Sequence, residues 1–288
     1  MKVGKMISLF VTVVMLVPCS VSASQNNKIP VIKTDLNTGI SSEYNMYSEI
    51  STLETDSFIP PEVAPIDTFD ILGEDERYPV DDTTYFPFTA CGSLYIRWPN
   101  GAQGLGTAFL IDTNKIATAA HCLYSFENGG HCSSAIFVPG QADKKEPFGR
   151  AAILQTVVPK EYQTERATDY DYAVATISNH IGSRVGYFGL TPTYNYTTIY
   201  ESAGYPGDYA NILEQRAIPV VAAGRITGFE HIRKLVHRID TEGGQSGSPI
   251  YEVLNNYRVN AIHTNGSPAG NKATYLDPTV INILNNAL

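Results

Sequence analysis

"GTAFLIDTNKIATAAHC", Gly106 to Cys122, decides how the chain is read. An apolar run from Thr107 to Ile111 meets a polar turn at Asp112 to Lys115, and a second apolar run follows from Ile116 to Ala119. That pattern predicts a β-hairpin. The second strand ends on His121-Cys122, and a second His-Cys pair stands at His131-Cys132. These are zinc-ligand residue types. Neighbours on a strand point to opposite faces, however, so His121 and Cys122 do not readily share one ion. No metal and no cofactor is expected.

Strand-like runs separated by turn residues continue outward from this hairpin. They are "AAILQTVV" (Ala151 to Val158), "YAVATI" (Tyr172 to Ile177), "AIPVVAAGRITGF" (Ala217 to Phe229), "KLVHRI" (Lys234 to Ile239), "SPIYEV" (Ser248 to Val253) and "YRVNAIH" (Tyr257 to His263). The end changes character. "DPTVINILNNAL" offers Asp277 as N-cap, Pro278 at the first helical position and Val280, Ile283, Leu284 and Leu288 on one stripe. The fold class is therefore all-β with a C-terminal α-helix.

The amino-terminal part is of another kind. Lys2 and Lys5 precede an apolar run from Ile7 to Pro18, and small residues close it at Val21 to Ala23. This is the pattern of an export signal over 1–23, cut after Ala23 and too short to span a bilayer comfortably. The protein is expected outside the cell, with no membrane association once the signal is removed. Residues 24–70 have little periodicity. From Ser24 to Phe69, Lys28 and Lys33 stand against Asp35, Glu43, Glu49, Glu54, Asp56, Glu62 and Asp67. This segment reads as a propeptide, and "DILGEDERYPV" from Asp70 opens the texture of the main domain, 71–288. The formal net charge of −9 and the lack of a basic run argue against a nucleic-acid partner.

Removal of the signal takes Cys19 with it and leaves Cys91, Cys122 and Cys132. An odd number of exported cysteines suggests one bridge and one spare thiol. Cys122 and Cys132 close a short loop through Gly129-Gly130 and are the favoured pair, with Cys91 to Cys122 second. Such a bridge contributes roughly 2–3 kcal/mol when unstrained.

Three segments carry the chemistry: "TAAHC" (Thr118 to Cys122), "DYDYAV" (Asp169 to Val174) and "TEGGQSGSP" (Thr241 to Pro249). Acyl transfer needs a nucleophile, a base to take its proton, a carboxylate to orient the base, and N–H groups aimed at the developing oxyanion. Ser246, His121 and Asp171 can supply the first three, and the N–H groups of Gly244 and Ser246 the fourth. Asp169 shares a strand face with Asp171 and competes with it. Asp171 heads the alternation Ala173, Ala175, Ile177 and is preferred. His180, His231 and His237 have no motif around them and read as surface or packing residues.

"TAAHC" followed by "GQSGSP", in the order His, Asp, Ser, resembles the chymotrypsin-fold serine proteases. "GTAFLI", "FVPG" (Phe137 to Gly140), "DYAV", "GYPGD" (Gly204 to Asp208), "IDTEGGQSGSP" and "IHTNG" (Ile262 to Gly266) narrow the resemblance to the bacterial glutamyl endopeptidases, from about Asp70 onward. The resemblance implies two packed six-stranded antiparallel barrels meeting near 185–200. His121 and Asp171 would lie on the first and Ser246 on the second. It also implies a monomer acting on protein or peptide substrates, made as an inactive precursor and cutting after Glu, more weakly after Asp. Thr241 and His263 match the family's pocket positions, and Asp70 or Ile71 its mature amino-terminus, whose new ammonium group helps form the pocket. Asp240 stands where trypsin-like enzymes hold a carboxylate for Lys or Arg, and pointing inward it would repel Glu.

Overall fold

The computed structural model describes residues 28–47, 54–58, 75–266 and 270–288. The export-signal stretch and the expected mature start at Asp70 or Ile71 lie outside the described residues. Two strands, β1 (Lys28–Asp35) and β2 (Ser41–Tyr47), come first. Six more follow: β3 (Cys91–Arg97), β4 (Gln103–Leu110), β5 (Lys115–Thr118), β6 (Ser134–Pro139), β7 (Ala151–Pro159) and β8 (Ala173–Ile177).

These eight form one antiparallel sheet in the order β8-β5-β4-β3-β6-β7-β1-β2. A further ladder, Ile153 to Val157 of β7 against Ile177 to Val174 of β8, closes β3 to β8 into a barrel. The long strand β7 makes the closure possible. Its start pairs with β6 at Ala151 and Ala152, and its remainder, Gln155 to Pro159, pairs with β1 on that same edge. The hairpin β1–β2 therefore extends the barrel wall, and part of the segment read as an aperiodic propeptide is regular β structure.

The second half holds β9 (Tyr200–Gly204), β10 (Val220–Gly224), β11 (Ile226–Phe229), β12 (Lys234–His237), β13 (Pro249–Glu252), β14 (Arg258–Asn265) and β15 (Asn271–Tyr275). Their order is β11-β12-β15-β14-β13-β9-β10, with the two-residue strand Tyr78–Pro79 beyond β10. Among the described residues no ladder joins the ends of this sheet, so only the first barrel is a closed ring of hydrogen bonds. The two end strands are nevertheless consecutive in the chain, parted by Arg225. The run 220–229 bends there, pairing with β9 by its first half and with β12 by its second.

Two helices matter for the site and the core. α1 (Lys160–Glu165) follows β7 and brings Tyr162 to the cleft. α2 (Pro278–Asn286) is capped as its sequence requires: the Asp277 side chain accepts the Val280 N–H at 2.9 Å. Val280, Ile283 and Leu284, joined by Ile281, pack into the first hydrophobic core together with Tyr251, Val259 and Ile262 of the second sheet. That shared core fixes one half on the other. A smaller cluster around Leu235, Ile239, Ile250 and Ala261 fills the second half.

Candidate active site

β5 ends at Thr118, and the chain turns through a short 3-10 segment, Ala120–Cys122, that carries His121. Its backbone N–H donates to Asp171 Oδ1 at 3.1 Å, and its ring Nδ1 lies 2.9 Å from Asp171 Oδ2. Held by both contacts, the carboxylate favours the proton on Nδ1 and leaves the Nε2 lone pair free. Asp171 is 6% exposed, whereas the His121 side chain keeps 33%. Burial alone would lower the His121 pKa, but the Asp171 charge outweighs it and holds the pKa well above the ordinary value. Burial conversely pushes the Asp171 pKa up, and the His121 contacts overcome this to hold it below the usual carboxylate value. Asp169 faces elsewhere and accepts the Arg233 N–H at 3.3 Å.

Ser246 lies in the loop before β13. Gly247 has a φ of +93°, and a Cβ there would meet Thr107 O at 2.1 Å and Thr118 Oγ1 at 2.2 Å, so glycine is obligatory. Gly243 O accepts the Gly207 N–H at 2.6 Å, and Gln245 O accepts the Ser248 N–H at 3.0 Å. Across a trans peptide the C=O and the following N–H point opposite ways. The N–H groups of Gly244 and Ser246 are thus turned away from these partners, and no acceptor among the described residues holds either. Ser246 Oγ donates to Thr264 O at 3.1 Å.

His121, Asp171 and Ser246 line one cleft of about 710 Å³ between the two halves. Thr241, His263, Thr264 and Asn265 form its wall on the second half, and Phe126, Tyr162 and Arg166 its wall on the first. Asp240 is not part of the lining; its Oδ2 accepts the Glu76 N–H at 2.9 Å. Behind the wall, Ile239 N–H donates to His237 Nδ1 at 3.3 Å, and His237 Nε2 lies 3.2 Å from His263 Nδ1. The backbone donor dictates the tautomers: His237 is protonated on Nε2 and donates to His263 Nδ1, so His263 carries its proton on Nε2. Burial lowers the pKa of both rings, that of His237 to about 3, so both are neutral.

A sequence profile of the trypsin-like peptidase domain matches residues 106–257. The chain is 30% identical to a glutamyl endopeptidase of Bacillus licheniformis, over 89% of this chain and 81% of that one. The chain belongs to the glutamyl endopeptidase family of trypsin-like serine peptidases. It is also 31% identical to a Bacillus subtilis protein described as an extracellular metalloprotease, over 74% of this chain and 67% of that one. The solved structure of a Glu endopeptidase in complex with MPD matches with a TM-score of 0.65 at 28% identity, covering 76% of this chain and 99% of the other. As a serine endopeptidase, the protein acts on proteins or peptides.

Of the site residues named from the sequence, His121, Asp171, Thr241, Ser246 and His263 line this cleft; Gly244 lies in the Ser246 loop outside the lining, and Asp70 and Ile71 are outside the described residues. The expected Cys122–Cys132 bridge is not formed: Cys91, Cys122 and Cys132 are all free and buried. Cys122 Sγ is directed instead at Ser246 O, 3.5 Å away, and packs under Gly106, where a Cβ would come within 2.9 Å of it. The thiol thus sits beneath the Ser246 loop. His131 lies in a two-residue strand, Gly130–His131, paired with Tyr124–Ser125, and its Nε2 is 3.2 Å from Gln163 Oε1. His237, which links the Ile239 N–H to His263, is the residue behind the cleft that motif reasoning passes over. Its signal is the alternation Leu235, His237, Ile239 in "KLVHRI", which puts a histidine in an apolar row.

Proposed function

We infer that the protein is a secreted serine endopeptidase that cuts after Glu, more weakly after Asp, and acts as a monomer. In this reading Ser246 Oγ exchanges its Thr264 acceptor for His121 Nε2 and attacks the scissile carbonyl. His121 takes the proton and passes it to the leaving amine, while Asp171 keeps the ring in the required tautomer and balances its charge. The Gly244 and Ser246 N–H groups receive the oxyanion. Water then hydrolyses the acyl-enzyme by the same route.

The observation that carries the specificity is the donor chain Ile239 N–H, His237, His263. It commits His263 to donate from Nε2, and His263 lines the cleft beside Thr241. Two such donors suit a P1 carboxylate. Asp240, engaged by the Glu76 N–H, does not oppose it. Export by the 1–23 signal and a cut near Asp70 or Ile71 complete the proposal; the new ammonium group adds a positive charge that the precursor lacks.

A matched peptide series varying only P1 as Glu, Asp, Gln, Lys and Phe tests the specificity, with Ser246→Ala as the inactive control. Glu is expected to lead, and His263→Ala to lower kcat/KM for Glu by well over tenfold, as loss of a buried charge partner costs about 2–5 kcal/mol. A preference for Lys refutes the reading. Amino-terminal sequencing of the active enzyme tests activation, and a start beyond Arg77 refutes it.

A further inference from the structure

Thr241 and His263, the side chains that face the proposed P1 carboxylate, are neutral and hydrogen-bond it without balancing its charge, which in this reading falls first to the new ammonium group. A buried cation stands behind them. Lys234, at the start of β12, is 2% exposed, and its Nζ donates to Thr264 Oγ1 at 3.1 Å. Thr264 follows His263 in β14, and both line the cleft. The neighbouring cations are matched: Lys272 pairs with Glu230 at 2.8 Å and Arg233 with Asp277 at 2.5 Å. Among the described residues Lys234 has no carboxylate within the 4.0 Å of an ion pair. An ammonium has three donors to place, and an incompletely paired buried charge is costly.

Burial lowers the Lys234 pKa, and the carboxylates that oppose this from a distance are Asp171, Asp169 and Glu230. Each is engaged elsewhere: Asp171 by His121, Asp169 by the Arg233 N–H, and Glu230 by Lys272. An anion arriving in the cleft next to Thr264 would supply the counter-charge that the fold leaves out. We propose that Lys234 is a specificity-determining residue, a second and buried positive charge that, beside the new ammonium group, raises the pocket's preference for ionised Glu over its neutral isostere Gln. It acts through Thr264 and through its field, without touching substrate. This rests on the Glu reading above. In a low-dielectric wall such a field reaches further than it does in water.

The experiment compares kcat/KM for two peptides that differ only in Glu or Gln at P1, using the activated enzyme. Lys234→Met removes the charge and the hydrogen bond, whereas Lys234→Gln can keep the bond to Thr264 and removes the charge alone. Both are expected to lower the Glu-over-Gln ratio by about tenfold or more, mainly through KM for Glu, with kcat for the Gln peptide retained. An equal fall on both peptides would assign Lys234 to Asp171 and overturn the proposal. So would an unchanged ratio in an enzyme that prefers Glu. If the unsubstituted enzyme shows no preference for Glu over Gln, the specificity reading fails first and this proposal with it.

Discussion

In the proposed mechanism His121 must be neutral to accept the Ser246 proton, yet Asp171 raises its pKa well above the ordinary 6.5. As pH falls through this raised value the base is protonated and kcat/KM declines. Asp171→Asn removes the charge that raises the pKa, so the acid limb should move to lower pH while turnover falls by orders of magnitude. A pH–rate profile of both enzymes checks this; an unmoved limb would separate Asp171 from the His121 titration. His237 behaves oppositely. With a folded pKa near 3 against 6.5 unfolded, the unfolded chain binds the extra proton below pH 6.5. Stability should therefore drop as pH falls from about 6.5 toward 3, by up to about 1.4 kcal/mol per unit from this ring. Urea melts across that window should show a shallower slope in His237→Gln. His121 and Ser246 were legible because each sits in a local motif. The placement of Lys234 and His237 was not, because each meets its partner on β14, distant in sequence.

At the level of strands, β4 does more than wall the barrel. Thr107 donates from Oγ1 to Gly244 O at 3.0 Å and accepts the Tyr205 N–H at 2.9 Å, while its backbone N–H holds Ser246 O at 2.9 Å. One threonine of the first half thus fixes the loop of the second half that carries Ser246. Thr107→Val keeps the volume and loses the side-chain bonds. It should cost about 1–3 kcal/mol by stranding buried partners. It should also lower kcat more than it raises KM, measured by melting and steady-state kinetics side by side. The hairpin β4–β5 and helix α2 announced themselves by turn residues and capping. β3 did not: its residues from Cys91 to Ile96 are buried without alternation, so no period marks it. β1 and β2 were hidden by polar composition, although "DLNTG" (Asp35 to Gly39) is a turn signal. Asp35 Oδ1 accepts the N–H groups of Asn37 and Thr38, and Gly39 has a φ of +70°.

On the scale of the whole molecule, residues 54–58 bind the link between the halves. Thr55 N–H donates to Leu190 O at 3.0 Å, Gly189 N–H to Ser57 Oγ at 2.7 Å, and Arg258 reaches Glu54 and Asp56. Gly189 is shaped for this contact, because a Cβ there would meet Thr55 O at 2.2 Å. Gly189→Ala should displace the segment and leave the cleft untouched. Hydrogen exchange in the full chain should then quicken at Thr55, Phe58 and Leu190, and persistent protection would contradict the account. The two-barrel plan was legible through the resemblance. The grip on the link was not, because it joins segments more than a hundred residues apart, and no local pattern in either segment marks its partner.

The stitching of the Ser246 loop to Thr107 makes hydrolysis a property of neither half alone. A chain severed between Tyr194 and Thr198, in the link, would yield two silent fragments whose reunion restores turnover. Peptide hydrolysis would then count reassembled molecules, each one amplifying its own recovery into a stream of product, and the protein would serve as a self-reporting assay of how its two halves find each other.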